Sequence, residues 1–147
     1  MMARREHLIE QLVSYRKIRN HEITLVFDGW KNGLGRESRT VTGGITVIYS
    51  SLGERADNVI KRIISKRQKK WVVVSSDRDI VASAWNNNCV PVDSETYYNL
   101  LVKAISIKDV HDEYKYEDDE EVCAHHKGNA RRPSRKQKEI NRVLLKL

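Results

Sequence analysis

Three aspartates stand at comparable positions relative to predicted strands. Asp28 directly follows the apolar run ITLVF, and Asp77 follows the run WVVV after two serines. Asp57 lies in the first turn of the helix that is predicted after the run ITVIY. Because ligands of open α/β sheets bind beyond the carboxyl ends of the strands, we expect these three carboxylates to share one acidic pocket there.

The chemistry expected of such a pocket is metal binding. Three carboxylates repel one another unless a cation lies between them. Mg²⁺ or Mn²⁺ prefers oxygen ligands, and a metal there can orient a phosphodiester and activate a water for attack. Asp79 is an outlying candidate ligand, although a capping box with Ser76 explains it better. Structural interpretations also exist for Asp28, as part of a turn with Gly29, and for Asp57, as a charge at a helix N-terminus.

The elements that position these aspartates alternate between strands and helices. Apolar β-branched runs predict strands over residues 23–27, 45–49, 71–74 and 90–92. Apolar residues at helical spacing predict helices over residues 3–19, about 55–69, from 76 onward, 94–105 and from 134 onward. The alternation predicts an α/β domain with a mostly parallel sheet of about four strands and helices on both faces. Pro91 favours an edge position for the last strand, and the polar, glycine-rich residues 30–44 predict a mobile surface loop.

Charge is distributed unevenly along the 147 residues, whose net charge is +7. Residues 1–108 carry 18 Lys and Arg residues and 11 Asp and Glu residues. Residues 109–121 are acidic, with one basic and eight acidic residues, whereas residues 122–147 are basic, with eight basic residues and one acidic residue. A basic body with a basic tail favours a polyanion such as RNA, because each neutralised phosphate releases counterions. A cationic surface that only maintains solubility is the alternative. The acidic stretch is most simply a solvated loop.

Features of other protein classes are missing from the sequence. No run approaches the roughly 18 apolar residues of a membrane span, and the first residues lack the apolar segment of a signal peptide. Cys89 and Cys123 are too few for a disulfide framework or a zinc site. We therefore expect a cytoplasmic protein without a membrane segment.

Two further features have competing interpretations. Trp30, just beyond Asp28, is suited equally to stacking on a base and to anchoring its loop. His125 and His126 beside Cys123 suggest a metal site, but no partner pair stands at ligand spacing, which favours a surface loop.

Four blocks of the sequence resemble the YacP-like branch of the NYN domains, which are relatives of the PIN-like nucleases. The blocks are ARREHLIEQLVSYRKIRNHEITLVFDG, GGITVIYSSLGERADNVIKRI, WVVVSSDRDI and KGNARRPSRKQKEINRVLLKL, with VFDG, ERADNVI and SSDRD the most specific parts. The resemblance implies a three-layer PIN-like fold. We assign this domain to residues 1–108, followed by an acidic surface stretch and loop over 109–130 and a basic C-terminal helix over 131–147. The resemblance also implies an RNA-binding domain of a metal-dependent endoribonuclease family, associated with the ribosome or mRNA.

The sequence departs from the family pattern in one respect. Members of this family open with a central strand that carries an Asp-Gly-Tyr-Asn motif, whereas this sequence starts at the following helix and contains no such string. Three explanations stay open: a start codon placed too late, a cloned fragment, or a natural variant that lost the strand. The first two imply additional ligands outside this sequence. The third implies a weakened metal site, a rearranged sheet and a binding function without cleavage.

The resemblance assigns roles to named residues. Asp28, Asp57 and Asp77 match the family's acidic positions and are the expected catalytic residues and ligands of Mg²⁺ or Mn²⁺, with Asp79 as a further metal candidate. Basic residues expected to contact RNA phosphates are Lys31, Arg55, Arg78, Arg131, Arg132, Arg135, Lys136 and Lys138. Two other hypotheses are a non-catalytic RNA- or ribosome-binding module on the same fold, and a protein-interaction domain that docks through the acidic stretch.

Overall fold

The computed structural model describes residues 2–29, 35–111 and 133–147. Within these ranges the chain forms the helices α1 (Met2–Arg19), α2 (Ala56–Ser65), α3 (Arg78–Asn86), α4 (Ser94–His111) and α5 (Arg135–Leu144). The strands are β1 (Thr24–Phe27), β2 (Ser38–Thr42), β3 (Ile45–Tyr49), β4 (Val72–Val74) and β5 (Val90–Val92). All predicted helices and strands are confirmed in type, with ends shifted by a few residues. None of the described helices is long and apolar enough to cross a membrane.

The expected surface loop over residues 30–44 is contradicted by β2 at residues 38–42, whereas residues 30–34 lie outside the described residues. The residues of β2 pair antiparallel with β3, and Gly43 and Gly44, with positive φ angles of 56° and 85°, connect the two strands. A two-residue Gly-Gly connection is a known hairpin signal. The sequence of β2 is polar and mostly exposed, and even its valine, Val41, is 70% exposed. A prediction based on apolar runs therefore does not detect this strand.

The strands form two sheets, whereas the sequence predicted one mostly parallel sheet of about four strands. In the first sheet β3 lies between β1, which is parallel to it, and β2, which is antiparallel. In the second sheet β4 and β5 pair in parallel. The α/β class is therefore right, but the described sheet is divided and mixed. Pro91 lies in β5, which pairs only with β4 among the described strands, as its predicted edge position requires.

Two clusters of buried side chains hold the helices against these sheets. The cluster between α1, α4, β1 and β3 buries Leu12, Tyr15, Ile45, Val47, Leu101 and Ala104. The cluster between α2, α3, β4 and the start of β5 buries Ile64, Val73, Ile80, Ala84 and Cys89. Helix α2 also contacts β1, so α2 reaches from the first sheet to the second.

The two sheets run in the same direction. Glu22, just before β1, accepts hydrogen bonds of 2.8 and 2.6 Å from Nζ of Lys69, just before β4. At the opposite end, Lys61 of α2 lies 3.6 Å from the carboxylate of Asp79, which follows β4. We call the end at which β1, β3, β4 and β5 terminate the carboxyl rim, and the end at which they begin the amino rim. Helices α2, α3 and α4 begin at the carboxyl rim, whereas α1, α2 and α3 end at the amino rim.

Candidate functional site

Asp28 lies at the carboxyl rim and caps a helix from a neighbouring strand. The backbone N–H of Ala56, the first residue of α2, donates to Oδ1 of Asp28 over 2.6 Å. The N-cap residue itself, Arg55, makes no side-chain capping bond. Asp28 therefore satisfies an otherwise unpaired helix N–H and places a negative charge at the positive end of the helix dipole.

Gly29 fixes the position of Asp28. Its N–H donates to Oγ of Ser50 over 3.0 Å, and that hydroxyl donates to the carbonyl of Glu54 over 2.7 Å. A Cβ atom at Gly29 would overlap the carbonyl oxygen of Ser50. The close approach ties the end of β1 to the end of β3, so only glycine fits directly after the aspartate.

Asp57 lies beside Asp28 at the N-terminus of α2. Its carboxylate is 25% exposed and forms an ion pair of 2.9 Å with the guanidinium of Arg55. Asp57, a candidate metal ligand, therefore forms an ion pair with Arg55, a candidate phosphate contact. The structure brings Asp28 and Asp57 to the same helix end and adds Arg55 as a counter-charge.

Asp77 is the N-cap of α3 at the end of β4. Its Oδ1 accepts from the backbone N–H of Asp79 over 2.8 Å, and its own N–H donates to Oγ of Ser75 over 3.1 Å. The predicted capping box of Ser76 and Asp79 is therefore wrong, because the helix begins one residue later than that pattern requires. Asp79 instead points its exposed carboxylate toward Lys61 of α2.

Asp93 is an additional carboxylate at this rim, and it was not among the metal ligands expected from the sequence. It follows β5, accepts a 2.8 Å hydrogen bond from the hydroxyl of Ser76, and caps α4 through the N–H groups of Glu95 and Thr96 at 3.1 and 3.3 Å. The hydrogen bond from Ser76, followed by the backbone bonds, lowers the pKa of Asp93 below its usual value. Asp93 directly follows an apolar strand, as Asp28 does, so the same sequence pattern could have predicted it as a residue of this rim.

Two glutamates near the start of α2 were also missed. Arg62 of α2 donates to Oε1 of Glu54 over 2.6 Å and contacts the carboxylate of Glu37. Glu54 further accepts a 3.1 Å hydrogen bond from Ser51. Because Glu37 lies beside β2, which the sequence analysis took for a loop, no pattern placed it at this end of the sheet.

The predicted RNA-contacting residues that the structure describes divide between the carboxyl rim and helix α5. Arg55 and Arg78 are exposed at the carboxyl rim, at the first turns of α2 and α3. Arg135, Lys136 and Lys138 are exposed on α5. Lys31, Arg131 and Arg132 lie outside the described residues, as do Trp30, Cys123, His125 and His126.

Both ends of α5 contact residues of the amino rim. Nζ of Lys136 lies 5.3 Å from the ring centroid of Trp85, near the end of α3. The carbonyl of Lys146 lies 3.1 Å from Nε2 of His21, just before β1, and the carbonyl of Leu147 accepts a 2.7 Å hydrogen bond from the hydroxyl of Tyr15. The basic helix also contacts β5, so it packs against the second sheet with its ends near the amino rim.

The donor types at the carboxyl rim fit a hard cation. Asp28 and Asp57 lie on the β1 side, and Asp77, Asp79 and Asp93 on the β4 side. Among the described residues, no three His, Cys, Asp or Glu side chains are grouped closely enough to hold a metal ion together. Mg²⁺ often binds proteins through only one or two carboxylates plus waters and substrate phosphates. The carboxylates present suit that mode of binding, which needs no complete protein cage.

The fold and the rim of aspartates agree with the family comparison. A family model described as the YacP-like NYN domain matches residues 1–142, and the chain belongs to that family. NYN domains are PIN-like nuclease-type domains that generally act on RNA and generally use divalent metal ions. No curated protein and no solved structure matches the chain significantly.

Proposed function

We propose that this chain is the RNA-binding domain of a metal-dependent endoribonuclease, with the carboxyl rim as its active site. The observation that carries the proposal is that Asp28 and Asp77 follow β1 and β4 at the same rim. Each aspartate uses Oδ1 to hold a helix N-terminus. In the described part of the chain no hydrogen bond engages Oδ2 of either residue, which leaves that oxygen for a cation.

In this proposal Asp28, Asp57 and Asp77 hold Mg²⁺ or Mn²⁺, with Asp79 nearby. The bound cation supplies Lewis acidity at a phosphodiester and lowers the pKa of a bound water. The protein residues orient the RNA. The guanidinium group of Arg78, at the start of α3, donates to phosphate oxygens. Arg55 does the same after it leaves its ion pair with Asp57.

The RNA backbone would extend from the carboxyl rim over the basic surface. Phosphate contacts position a nucleic acid without selecting its sequence. The basic residues of α5 belong to this sequence-independent part of the affinity. Messenger RNA, including RNA on the ribosome, is the substrate class that we propose.

The proposal is tested with labelled single-stranded RNA and Mn²⁺. Asp77→Asn retains the capping oxygen, because asparagine is as good an N-cap as aspartate, so the protein should fold normally. We expect cleavage to fall by at least about a hundredfold, the scale on which lost transition-state electrostatics reduce rates. Glu95→Gln, which removes one charge from the same rim, serves as the matched control and should cleave as the unmodified protein does. Cleavage that survives Asp77→Asn would refute the assignment.

A non-catalytic RNA- or ribosome-binding module is the second candidate function. It is favoured by the absence, within the described residues, of a group of three carboxylates, histidines or cysteines. This alternative predicts salt-dependent RNA binding without cleavage at any Mn²⁺ concentration. It also predicts that Asp77→Asn binds RNA at least as tightly as the unmodified protein, because one repulsive charge is removed. The third hypothesis, docking of a protein on residues 109–130, concerns a segment of which only 109–111 lie within the described residues.

A further inference from the structure

Two segments that are far apart in the sequence carry dense positive charge. Residues 66–70, between α2 and β4, contain four basic residues and no acidic one, and residues 135–147 contain five basic residues and one acidic one, Glu139. All nine basic residues are exposed. Within the described part of the chain, only Lys69 of the nine forms an ion pair, with Glu22. The nine are Lys66, Arg67, Lys69, Lys70, Arg135, Lys136, Lys138, Arg142 and Lys146.

The start of α5 adjoins the connection from α2 to β4. Nζ of Lys136 lies 5.3 Å from the ring centroid of Trp85, near the end of α3. The next two residues of the chain bind Arg67, which donates to the carbonyl of Asn86 over 3.2 Å and to Oδ1 of Asn87 over 3.5 Å. Both basic residues therefore contact the same end of α3.

The end of α5 adjoins the same connection through the residues before β1. Nε2 of His21 lies 3.1 Å from the carbonyl of Lys146, and the carboxylate of Glu22 accepts a 2.6 Å hydrogen bond from Nζ of Lys69. Because residues 21 and 22 are consecutive, Lys146 and Lys69 are neighbours. The two segments thus meet at both ends of α5 and form one surface. We call their nine basic residues the basic band.

Helical spacing places the charge of α5 on its outer side. The apolar residues of this segment recur at helical spacing and are half-buried against the rest of the protein. They are Ile140, Val143, Leu144 and Leu147. Basic residues every three or four positions form a stripe on the exposed side, which is about 16 Å long at 1.5 Å per residue. They are Arg135, Lys138, Arg142 and Lys146.

Helix stability explains only part of the charge of the basic band. Arg67 donates to the carbonyl of Asn86 at the C-terminus of α3, where a cation is favourable. Arg135, Lys136 and Lys138 lie instead in the first turn of α5, which contains no acidic residue and where the helix dipole opposes positive charge. These three charges therefore do not stabilise their own helix, and they indicate an anionic partner.

Aromatic rings within the basic band favour a nucleic acid as that partner. Nζ of Lys69 lies 4.7 Å from the ring centroid of Trp71, as Nζ of Lys136 lies over Trp85. Basic side chains combined with aromatic rings on which bases stack are typical of proteins that bind single-stranded nucleic acid. A phosphate that draws either lysine away uncovers a ring face for a base.

The basic band is separate from the carboxyl rim. Glu22 lies at the band and Asp28 at the rim, at opposite ends of β1. Six residues of extended chain span roughly 20 Å. Arg55 and Arg78, the arginines of the carboxyl rim, stand at the first turns of α2 and α3, whereas the band lies where these two helices end.

We propose that the basic band is a second RNA-binding surface, which holds a segment of RNA other than the segment at the carboxyl rim. Its phosphates contact the stripe of α5 and residues 66–70, and its bases reach Trp71 and Trp85. An RNA that is long enough to reach both surfaces gains affinity from the second contact without any new site. This gain rests on the proposed function of the carboxyl rim, whereas RNA binding by the band does not.

The test is a nuclear magnetic resonance titration of the full chain with a short uridine RNA, at low salt and without metal ions. About four nucleotides suffice, the lower limit for single-strand sites. The backbone amides of residues 66–70 and 135–146 and the indole N–H groups of Trp71 and Trp85 report on the basic band. The amides of Asp28, Asp57 and Asp77 report on the carboxyl rim. Both groups of signals should shift, each with its own dissociation constant.

The double variant Lys138→Gln, Arg142→Gln removes two charges of the stripe. Glutamine has a helix propensity close to that of lysine and arginine, so α5 should form normally. The dissociation constant reported by the basic band should rise at least about tenfold, and its salt slope should fall by about 0.7 for each charge. Arg36→Gln with Arg39→Gln is the matched control. It removes two exposed charges at β2, on the far edge of the first sheet, and should leave the band signals unchanged.

A longer RNA tests whether the two surfaces act together. An RNA of about twenty nucleotides should bind the unmodified protein at least about a hundredfold more tightly than the short RNA does. The double variant Lys138→Gln, Arg142→Gln should lose most of this gain, whereas the Arg36→Gln, Arg39→Gln control should retain it.

Three results would overturn the proposal. Shifts at the carboxyl rim without shifts at the basic band would mean that RNA binds at one surface only. An equal loss in the double variant and its control would mean that net charge, and not this surface, attracts the RNA. Displacement of the RNA from the band by anionic phospholipid vesicles at equal phosphate concentration would assign the surface to a membrane. Failure of the proposed function has a different signature, because the band signals would still shift while those of the carboxyl rim would not.

Discussion

The two rims of the sheets carry opposite charge. At the carboxyl rim, the ends of β1, β4 and β5 are each followed within a few residues by an aspartate, at positions 28, 77 and 93. At the amino rim, the last turn of α1 and the connection from α2 to β4 carry mostly basic residues. These are Arg16, Lys17, Arg19, Lys66, Arg67, Lys69 and Lys70. Helix α5 adds further basic residues there.

Helix direction explains part of this difference. At the carboxyl rim α2, α3 and α4 present their N-termini, which attract negative charge, and at the amino rim α1, α2 and α3 present their C-termini, which attract positive charge. Asp28, Asp77 and Asp93 each bond to a helix N–H. A rim of capping aspartates can therefore arise from stability alone. Only substitutions that keep the cap and change the charge test whether the carboxyl rim also has a function.

Gly29→Ala should have the largest effect on the carboxyl rim. The added Cβ would overlap the carbonyl oxygen of Ser50, so the end of β1 must move away from β3. We expect the free energy of unfolding to fall by about 3 kcal/mol or more, within the range for severe steric substitutions. Urea denaturation measures the loss. Gly35→Ala is the matched control and should change stability little, because no atom of the described residues lies within 4 Å of its added methyl group.

Asp28→Ala and Asp28→Asn separate capping from charge at the same rim. Loss of the cap in Asp28→Ala should lower the free energy of unfolding by about 1 kcal/mol, whereas Asp28→Asn should retain most of that stability. If Asp28 binds a cation, both variants should weaken Mn²⁺ binding measured by calorimetry. Equal Mn²⁺ affinity in Asp28→Asn and the unmodified protein would restrict Asp28 to a structural role.

Arg78→Gln and Lys70→Gln compare the two rims as RNA contacts. Each removes one exposed positive charge, from the carboxyl rim and the amino rim respectively. A residue that neutralises a phosphate of single-stranded RNA contributes about 0.7 to the slope of log affinity against log salt. We expect Arg78→Gln to lose this increment, and Lys70→Gln to lose it only if RNA extends to the amino rim. Affinities at several salt concentrations measure both slopes.

The sequence predicted most elements but not how the sheets join. Apolar runs located β1, β3, β4 and β5 because each is buried on at least one face. The strand β2 was not predicted, because it is mostly exposed and the feature that indicates it is the hairpin turn at Gly43 and Gly44. The division into two sheets depends on which strands pair across long sequence distances, and no local pattern reports this. Likewise, the predicted strand ends were enough to locate the aspartates at one rim. Their bonding partners, Ala56, Arg55 and Ser76, could not be predicted, because these contacts depend on how the helices and strands pack.

Ser76→Ala should have the smallest effect, and its pH dependence identifies the cause. The hydrogen bond from Ser76 is the main reason that the pKa of Asp93 lies below its usual value. A carboxylate whose pKa is lowered by folding contributes stability above its unfolded pKa, and this contribution is lost as pH falls through the folded pKa. Ser76→Ala should therefore be slightly less stable than the unmodified protein at neutral pH, with the difference disappearing in acid, where Asp93 is protonated in both. Thermal unfolding of the two proteins between neutral and strongly acidic pH measures the difference. A difference that is the same at every pH would mean that Ser76 acts through its contact with the N–H of Ser94, at 3.3 Å, and not through the carboxylate.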